Sequence, residues 1–346
     1  MPRIDPTTPQ DREELEDCLS TPPPALVEAM GGLGGDIVIL GVGGKMGPTL
    51  ARMARRATDQ LGARRRVIAV SRFGSTGLRE QLEQHGIETI ACDLLDEEAV
   101  SQLPDAPNVV CMTGMKFGSS DNPALTWAMN CYLPALVSRR YAKSRIAVFS
   151  SGNVYGLVST DSSGSTEDDS PDPVGEYAIT VLGRERIFEY FSSALQIPIT
   201  LLRLNYATEL RYGVLVDLAL QVWKEQPIDV SMGYVNVIWQ AEANAMSLAS
   251  LLHVATPARV LNIAGSEILS VAEVCQQFGR LMNKRVQLTG QARADAFLSN
   301  AQRSYELLGP PTVSAEQMIR WTADWIARDG DTLGKPTHFE TRDGRY

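Results

Sequence analysis

Asp36-Ile37-Val38-Ile39-Leu40 runs directly into Gly41-Val42-Gly43-Gly44-Lys45-Met46-Gly47, and the architecture of the chain follows from how these residues behave. The apolar run is too short for a helix and stops at a cluster of glycines. Beyond it, Leu50, Met53 and Ala54 recur at helical spacing. The pattern is strand, tight turn, helix. Glycines in such a turn let the backbone approach a phosphate closely, and the helix behind them offers free amides and the positive end of its dipole to an anion. Gly41, Gly43, Gly44, Met46 and Gly47 are therefore candidates for cradling the diphosphate of a dinucleotide.

The composition narrows what else the chain can be. Its 346 residues suffice for a large α/β unit with an added lobe. A net charge of -9, with Arg64-Arg65-Arg66 as the one dense basic run, argues against a nucleic-acid partner. No apolar window is long enough to span a bilayer, and the first residues are polar and acidic rather than signal-like, so no membrane partner and a cytoplasmic location are expected. The 5 cysteines and 3 histidines are dispersed, which predicts reduced thiols and no metal site.

Read in order, residues 1–35 hold two short helix candidates around Pro22-Pro23-Pro24 and form an N-terminal extension. From residue 36, strands at 67–71, 88–91 and 109–112 alternate with helices at 78–85 and 97–103. A long helix at 123–142, kinked at Pro134, leads to a strand at 145–149 that runs into Ser150-Ser151, and a further helix at 175–195 leads to the strand 199–204. This alternation predicts a parallel sheet covered by helices on both faces, with ligands at the carboxyl ends of its strands. Residues 159–173, rich in Ser, Asp, Gly and Pro, read as a mobile loop. The expected division is residues 36–205 as a dinucleotide-binding domain and 206–346 as a smaller, mainly helical lobe from which some strands return to the main sheet.

By Tyr177 the residues resemble a known family, the extended short-chain dehydrogenases/reductases of the NAD-dependent epimerase/dehydratase group. The markers are Gly41, Gly44 and Gly47; Cys92-Asp93-Leu94; Ser150-Ser151 ahead of Val154-Tyr155-Gly156; Glu167-Asp168; Tyr177 with Glu185; and Leu261-Asn262-Ile263-Ala264-Gly265. The resemblance implies an α/β fold with a Rossmann-type doubly wound parallel sheet and a smaller C-terminal substrate lobe. It also implies a homodimer in which the two long helices pair with their copies, and Ile179, Leu182, Phe188 and Phe191 suit that role or the sheet.

Cofactor choice turns on the end of the second strand. An NAD binder places a carboxylate there for the ribose hydroxyls, whereas an arginine can pair with the 2′-phosphate of NADP. Here Ser71-Arg72 follow Val70, so NADP is expected, with NAD the alternative. Asp93, with Leu94 beside it, matches the position that meets adenine in relatives. For the chemistry, the resemblance implies that Ser151 orients the substrate oxygen and Tyr177 transfers its proton.

A lysine one helical turn after that tyrosine completes the family's set, and this chain has Val181 there. Tyr177 and Glu185 fix the register, so no shifted lysine restores the motif. Arg184 lies about 10 Å along the axis at a rise of ~1.5 Å per residue, and Lys116, just past the fourth strand, is the expected substitute cation. Asn130 is a candidate brace for the site backbone. Asn153, Arg203, Asn205, Arg211 and Trp239 are candidate substrate contacts, aromatic and planar polar groups that suit a polyhydroxy ligand. Two functions remain open: an NAD(P)-dependent oxidoreductase or epimerase acting on a sugar-like hydroxy or keto compound, and a non-catalytic protein of the same fold that senses a dinucleotide or metabolite.

Overall fold

Seven parallel strands form the centre of the computed structural model, which describes residues 7–74, 76–116 and 118–345. They are β1 (Ile37–Leu40), β2 (Val67–Ser71), β3 (Glu88–Ala91), β4 (Asn108–Cys111), β5 (Arg145–Ser151), β6 (Ile199–Leu204) and β7 (Arg259–Ile263). Their spatial order is β7-β6-β5-β4-β1-β2-β3. Leu40 pairs with Val70 on one side and with Cys111 on the other, so the order reverses at β1. That reversal opens a crevice at the carboxyl ends of β1 and β4, where such sheets take ligands.

Every residue of β1 is buried because helices cover both faces, which explains an unbroken apolar run where a half-exposed strand would alternate. Ile37 and Ile39 pack with Leu50 and Met53 on one face, and Val38 and Leu40 pack with Leu133, Val137 and Phe188 on the other. Phe188 thus faces the sheet, while Ile179 is exposed on the outer side of its helix, Gly175–Leu195.

The expected kink in the long helix is a change of helix type. An α-helical segment, Pro123–Trp127, passes into a π-turn, Ala128–Tyr132, and resumes as Leu133–Arg140. Pro134 has no amide hydrogen to give to the carbonyl four residues back, and the wider turn directly before it accommodates the missing bond.

In the N-terminal extension, whose residues 1–6 lie outside the described residues, the helix Arg12–Ser20 starts at Asp11, whose carboxylate accepts from the Glu14 amide at 3.0 Å. It packs on Gly47–Gln60, where Arg52 and Arg56 reach Asp17 at 2.8 and 3.1 Å. The loop at 159–173 is pinned rather than loose. Ser165 and Leu298 share a backbone hydrogen bond of 2.9 Å, and the buried Glu167 carboxylate accepts from the Asn262 amide at 2.7 Å. Among the described residues no helix is long and apolar enough to cross a membrane.

Candidate functional site

The glycine turn has the geometry that its composition demands. Gly41 sits at φ +83°, where a side chain is strained, and a Cβ there would lie 2.8 Å from Thr113 Cγ2. Gly47 begins the helix Gly47–Gln60 directly under the turn, and a Cβ on it would collide with the Val42 carbonyl. Gly47→Ala is therefore expected to displace the turn from the helix end and to weaken dinucleotide binding at least tenfold, read by quenching of protein fluorescence on titration with NADH. Unchanged affinity would show that the turn is not the diphosphate cradle.

The turn forms one wall of a cavity of about 450 Å³. Gly41, Gly43, Gly44, Met46, Gly47, Lys116, Ser151, Asn153 and Tyr177 all line it, so residues from the turn, the β4 and β5 ends and the helix Gly175–Leu195 converge on one space. The cradle suits a dinucleotide: Gly43 and Gly44 are exposed along its floor, and the first turn of the helix stands behind them.

At the proposed adenine end, Ser71 Oγ lies behind Gly43 and accepts from the Phe73 amide at 3.3 Å. Arg72 is exposed beside it. Asp93 accepts from the Leu95 amide at 3.1 Å and so shapes the turn after β3, while Leu94 is buried with the apolar side chains beneath the sheet rather than open to a ligand.

Ser151 and Asn153 are joined. The serine hydroxyl donates to Asn153 Oδ1 at 2.9 Å and accepts from the Asn153 amide at 3.2 Å, which fixes the hydroxyl at the mouth of β5. Lys116 Nζ lies 5.7 Å from the centre of the Tyr177 ring and 3.5 Å from the Thr337 carbonyl that accepts from it. Burial pulls its pKa down to about 8, against the opposing pull of Glu340 and Asp217.

Asn130 holds the loop that carries Lys116. Its Oδ1 accepts from the Met115 amide at 3.1 Å, and its Nδ2 donates to the Met115 carbonyl at 3.2 Å and to Thr180 Oγ1 at 2.9 Å. Arg184 is buried in bonds to Asn130 and to the Phe149 carbonyl, so its charge is directed into the scaffold. Val181 is fully buried against Val154 and Tyr155, with Tyr177 packed beside them.

Several residues expected at the substrate mouth are internal. Arg203 forms a two-pronged pair with Glu185, at 3.0 Å from Nε and 2.7 Å from Nη2, and donates to Tyr155 Oη at 2.7 Å. Arg211 ties Glu209, at 3.1 Å, to Glu16 of the N-terminal extension, at 2.6 Å. Asn205 donates to Asn236 Oδ1 at 2.8 Å, and Trp239 packs against Trp321 with ring centres 5.2 Å apart and the rings tilted by 60°. None of these four lines the cavity.

Residues 37–207, from β1 to just past β6, match the model of the NAD dependent epimerase/dehydratase family. Over those residues the chain is similar to that family. Among solved structures, the dTDP-glucose 4,6-dehydratase of Bacillus anthracis str. Ames in complex with NAD is similar with a TM-score of 0.71 at 14% identity, over 86% of this chain and 97% of that one. UDP-glucuronic acid 4-epimerase from Bacillus cereus, in complex with UDP-glucuronic acid and NAD, gives 0.69 at 17% identity, over 85% and 99%. The UDP-glucose 4-epimerase of Thermotoga maritima with UDP-glucose gives 0.67 at 17%, over the same shares, 85% and 99%. At these identities the likeness is one of fold. A search of curated proteins gives no match.

Against the family pattern, the cavity also contains residues that no motif announced. Lys45, inside the glycine turn, places Nζ 3.2 Å from the centre of the Tyr212 ring. Burial lowers its pKa to about 7, helped by Lys116 and Lys335 and opposed by Asp217. Lys335 and Thr337 come from a C-terminal strap, residues 331–345, that crosses from the helix Ala315–Ala327 toward the start of Gly175–Leu195. The strap is anchored where the Thr337 amide and hydroxyl donate to Asp217 at 2.8 and 2.6 Å and where the Leu333 amide donates to the Arg211 carbonyl at 2.9 Å.

Proposed function

We infer that the protein is an NAD(P)-dependent oxidoreductase or epimerase acting on a sugar or sugar-like hydroxy or keto compound. The observation that carries this reading is the convergence of the glycine cradle, Ser151, Tyr177 and Lys116 on one cavity. A nicotinamide dinucleotide, when bound, supplies or accepts the hydride. Ser151, its hydroxyl fixed by Asn153, holds the substrate oxygen, and Tyr177 gives that oxygen its proton or takes it away. Lys116, at the ring of Tyr177, supplies the positive field that Val181 cannot, favouring the negative charge that develops on oxygen in the transition state. The solved enzymes of this fold in complex with NAD, one of them also with UDP-glucuronic acid, support the same substrate class.

Exposed Arg72 favours NADP over NAD. Arg72→Ala is expected to weaken NADPH at least tenfold and NADH less than twofold in parallel fluorescence titrations; equal losses would defeat the NADP assignment and leave NAD. Turnover is tested with a panel of keto and hydroxy sugars, followed through nicotinamide absorbance. Binding without turnover across the panel would support the second reading, a dinucleotide- or metabolite-sensing protein, which the buried Val181 favours.

The protein is read as cytoplasmic, with residues 36–205 as the cofactor domain and 206–346 as the substrate lobe. Self-association is expected through the outer sides of the long helix 123–142, its π-turn included, and of Gly175–Leu195, which pair with their copies. Trp127 (45% exposed), Tyr132 (50%) and Tyr190 (64%) stand out there among the exposed large apolar side chains.

A further inference from the structure

Five residues of the C-terminal strap, Gly334-Lys335-Pro336-Thr337-His338, run along the cavity and put Lys335 and Thr337 in its wall. Both ends of this stretch are fixed. Just before it, the Leu333 amide is bonded to the Arg211 carbonyl at 2.9 Å, and just after it the Phe339 ring is buried in the main core. A static cavity wall is held by apolar packing along its length. Here Thr337 alone of the five residues is buried, so the hold on the stretch is polar and sits at one point.

The backbone between the two anchors has the form of a hinged plate. Gly334 stands at φ +61° and His338 at φ +55°, a left-handed conformation that glycine adopts freely and a histidine adopts at a cost. Between them, Pro336 fixes its own φ and keeps Lys335 out of the helical region, which makes residues 335–337 a stiff unit. A strained pivot beside a ligand cavity is the kind of feature that conformational switches retain.

Thr337 fastens the plate. Its amide and its hydroxyl both donate to Oδ2 of Asp217, at 2.8 and 2.6 Å, and its hydroxyl accepts from the Phe339 amide at 3.3 Å. Its carbonyl accepts from Lys116 Nζ at 3.5 Å. Asp217 comes from the helix Val214–Trp223 and Lys116 from the loop after β4, so one residue bridges two separate walls of the cavity. The two bonds to Asp217 share one acceptor oxygen. They are charge-assisted, and they are made and broken together.

On the reading that this cavity takes a nicotinamide dinucleotide, we propose that residues 334–338 are a gate for that ligand, latched by Thr337 on Asp217 and swinging on Gly334 and His338. Rotation at the two pivots moves the stiff unit outward while Leu333 and Phe339 stay in place. The latch is internal to the protein and does not consist of ligand contacts. Loosening it therefore speeds entry and exit alike and leaves the equilibrium affinity nearly unchanged.

The test is stopped-flow mixing of the full chain with NADH and, in parallel, NADPH, read by nicotinamide fluorescence. The observed association rate of the parent is expected to level off with dinucleotide concentration, at the rate of gate opening. Asp217→Asn and Thr337→Val are each expected to raise that plateau and the dissociation rate at least tenfold, with the affinity within threefold of the parent. Leu333→Ser lies outside the pivots on an exposed side chain and keeps its backbone bond, so its rates should stay within twofold. The two latch variants are close in shape to the native residues, and thermal unfolding checks that each is folded. A parent rate that stays linear in concentration would overturn the gate, as would plateaus unchanged in both latch variants. Affinity lost at an unchanged association rate would make the strap a wall that touches the ligand, and would overturn it too. Failure of both dinucleotides to bind the parent would remove the proposed function along with the gate, whereas tight binding at rates indifferent to the latch removes the gate alone.

Discussion

Arg203→Leu is expected to destabilise the protein by about 3–5 kcal/mol, the usual cost of breaking a buried ion pair from one side. Glu185 is fully enclosed, with side-chain exposures of 4% for Arg203 and 0% for Glu185. With the guanidinium gone, the carboxylate keeps one donor, the Ser150 hydroxyl, and faces an apolar side chain where it had two charged hydrogen bonds. Tyr155 Oη loses its donor as well and retains only the bond it gives to Asn262 Oδ1 at 2.9 Å. The damage lies directly under Ser151, so the floor of the site is expected to loosen along with the fold.

Glu185→Leu combined with Arg203→Met should recover most of the loss, because a matched apolar pair leaves no charge uncompensated. Urea unfolding of the parent, the single variant and the double variant reads both effects. A single variant within 1 kcal/mol of the parent, by the scale of ordinary surface changes of about ±0.5 kcal/mol, would show that the pair is not buried as described.

The same arginine shows where the sequence stops informing. Arg203 stands at the end of β6, the correct place for a ligand contact, but successive residues of a strand point to opposite faces. Leu204 lines the cavity, while Arg203 turns toward Glu185 on the helix behind. The sheet itself was legible because buried parallel strands are continuous apolar runs and glycine marks their ends. Trp239 resisted for a different reason: its partner Trp321 is distant in sequence, and an aromatic side chain carries no local sign of whether it meets ligand or core. The strap 331–345 has no helical or strand periodicity, so nothing local predicts that Lys335 and Thr337 return to the cavity. Lys45 was visible within the glycine turn, but its contact with the Tyr212 ring is reached only through the fold.

Tyr177→Phe is expected to lower kcat by about 10²–10⁴-fold, the range for losing a positioned acid-base group, while NADH affinity stays within twofold. The phenol oxygen is the one atom removed, and the ring that Lys116 faces remains. Lys116→Met should lower kcat by a similar factor if its ammonium replaces the field of the absent lysine at position 181, and Lys116→Arg should restore part of it. The pH profile separates this role from a structural one. Lys116 is lowered to about 8 by burial, so a rate that needs its ammonium is full below that pH and falls as pH rises through it. In Lys116→Met that alkaline limb should vanish from whatever activity remains. An alkaline limb that persists unchanged in Lys116→Met would take the lysine out of the chemistry, and a fully active Tyr177→Phe protein would take out the tyrosine. Should both hold their expected values, the ammonium reaches the tyrosine from a loop braced by Asn130, and the position of Val181 on the helix is free to serve packing against Val154 and Tyr155.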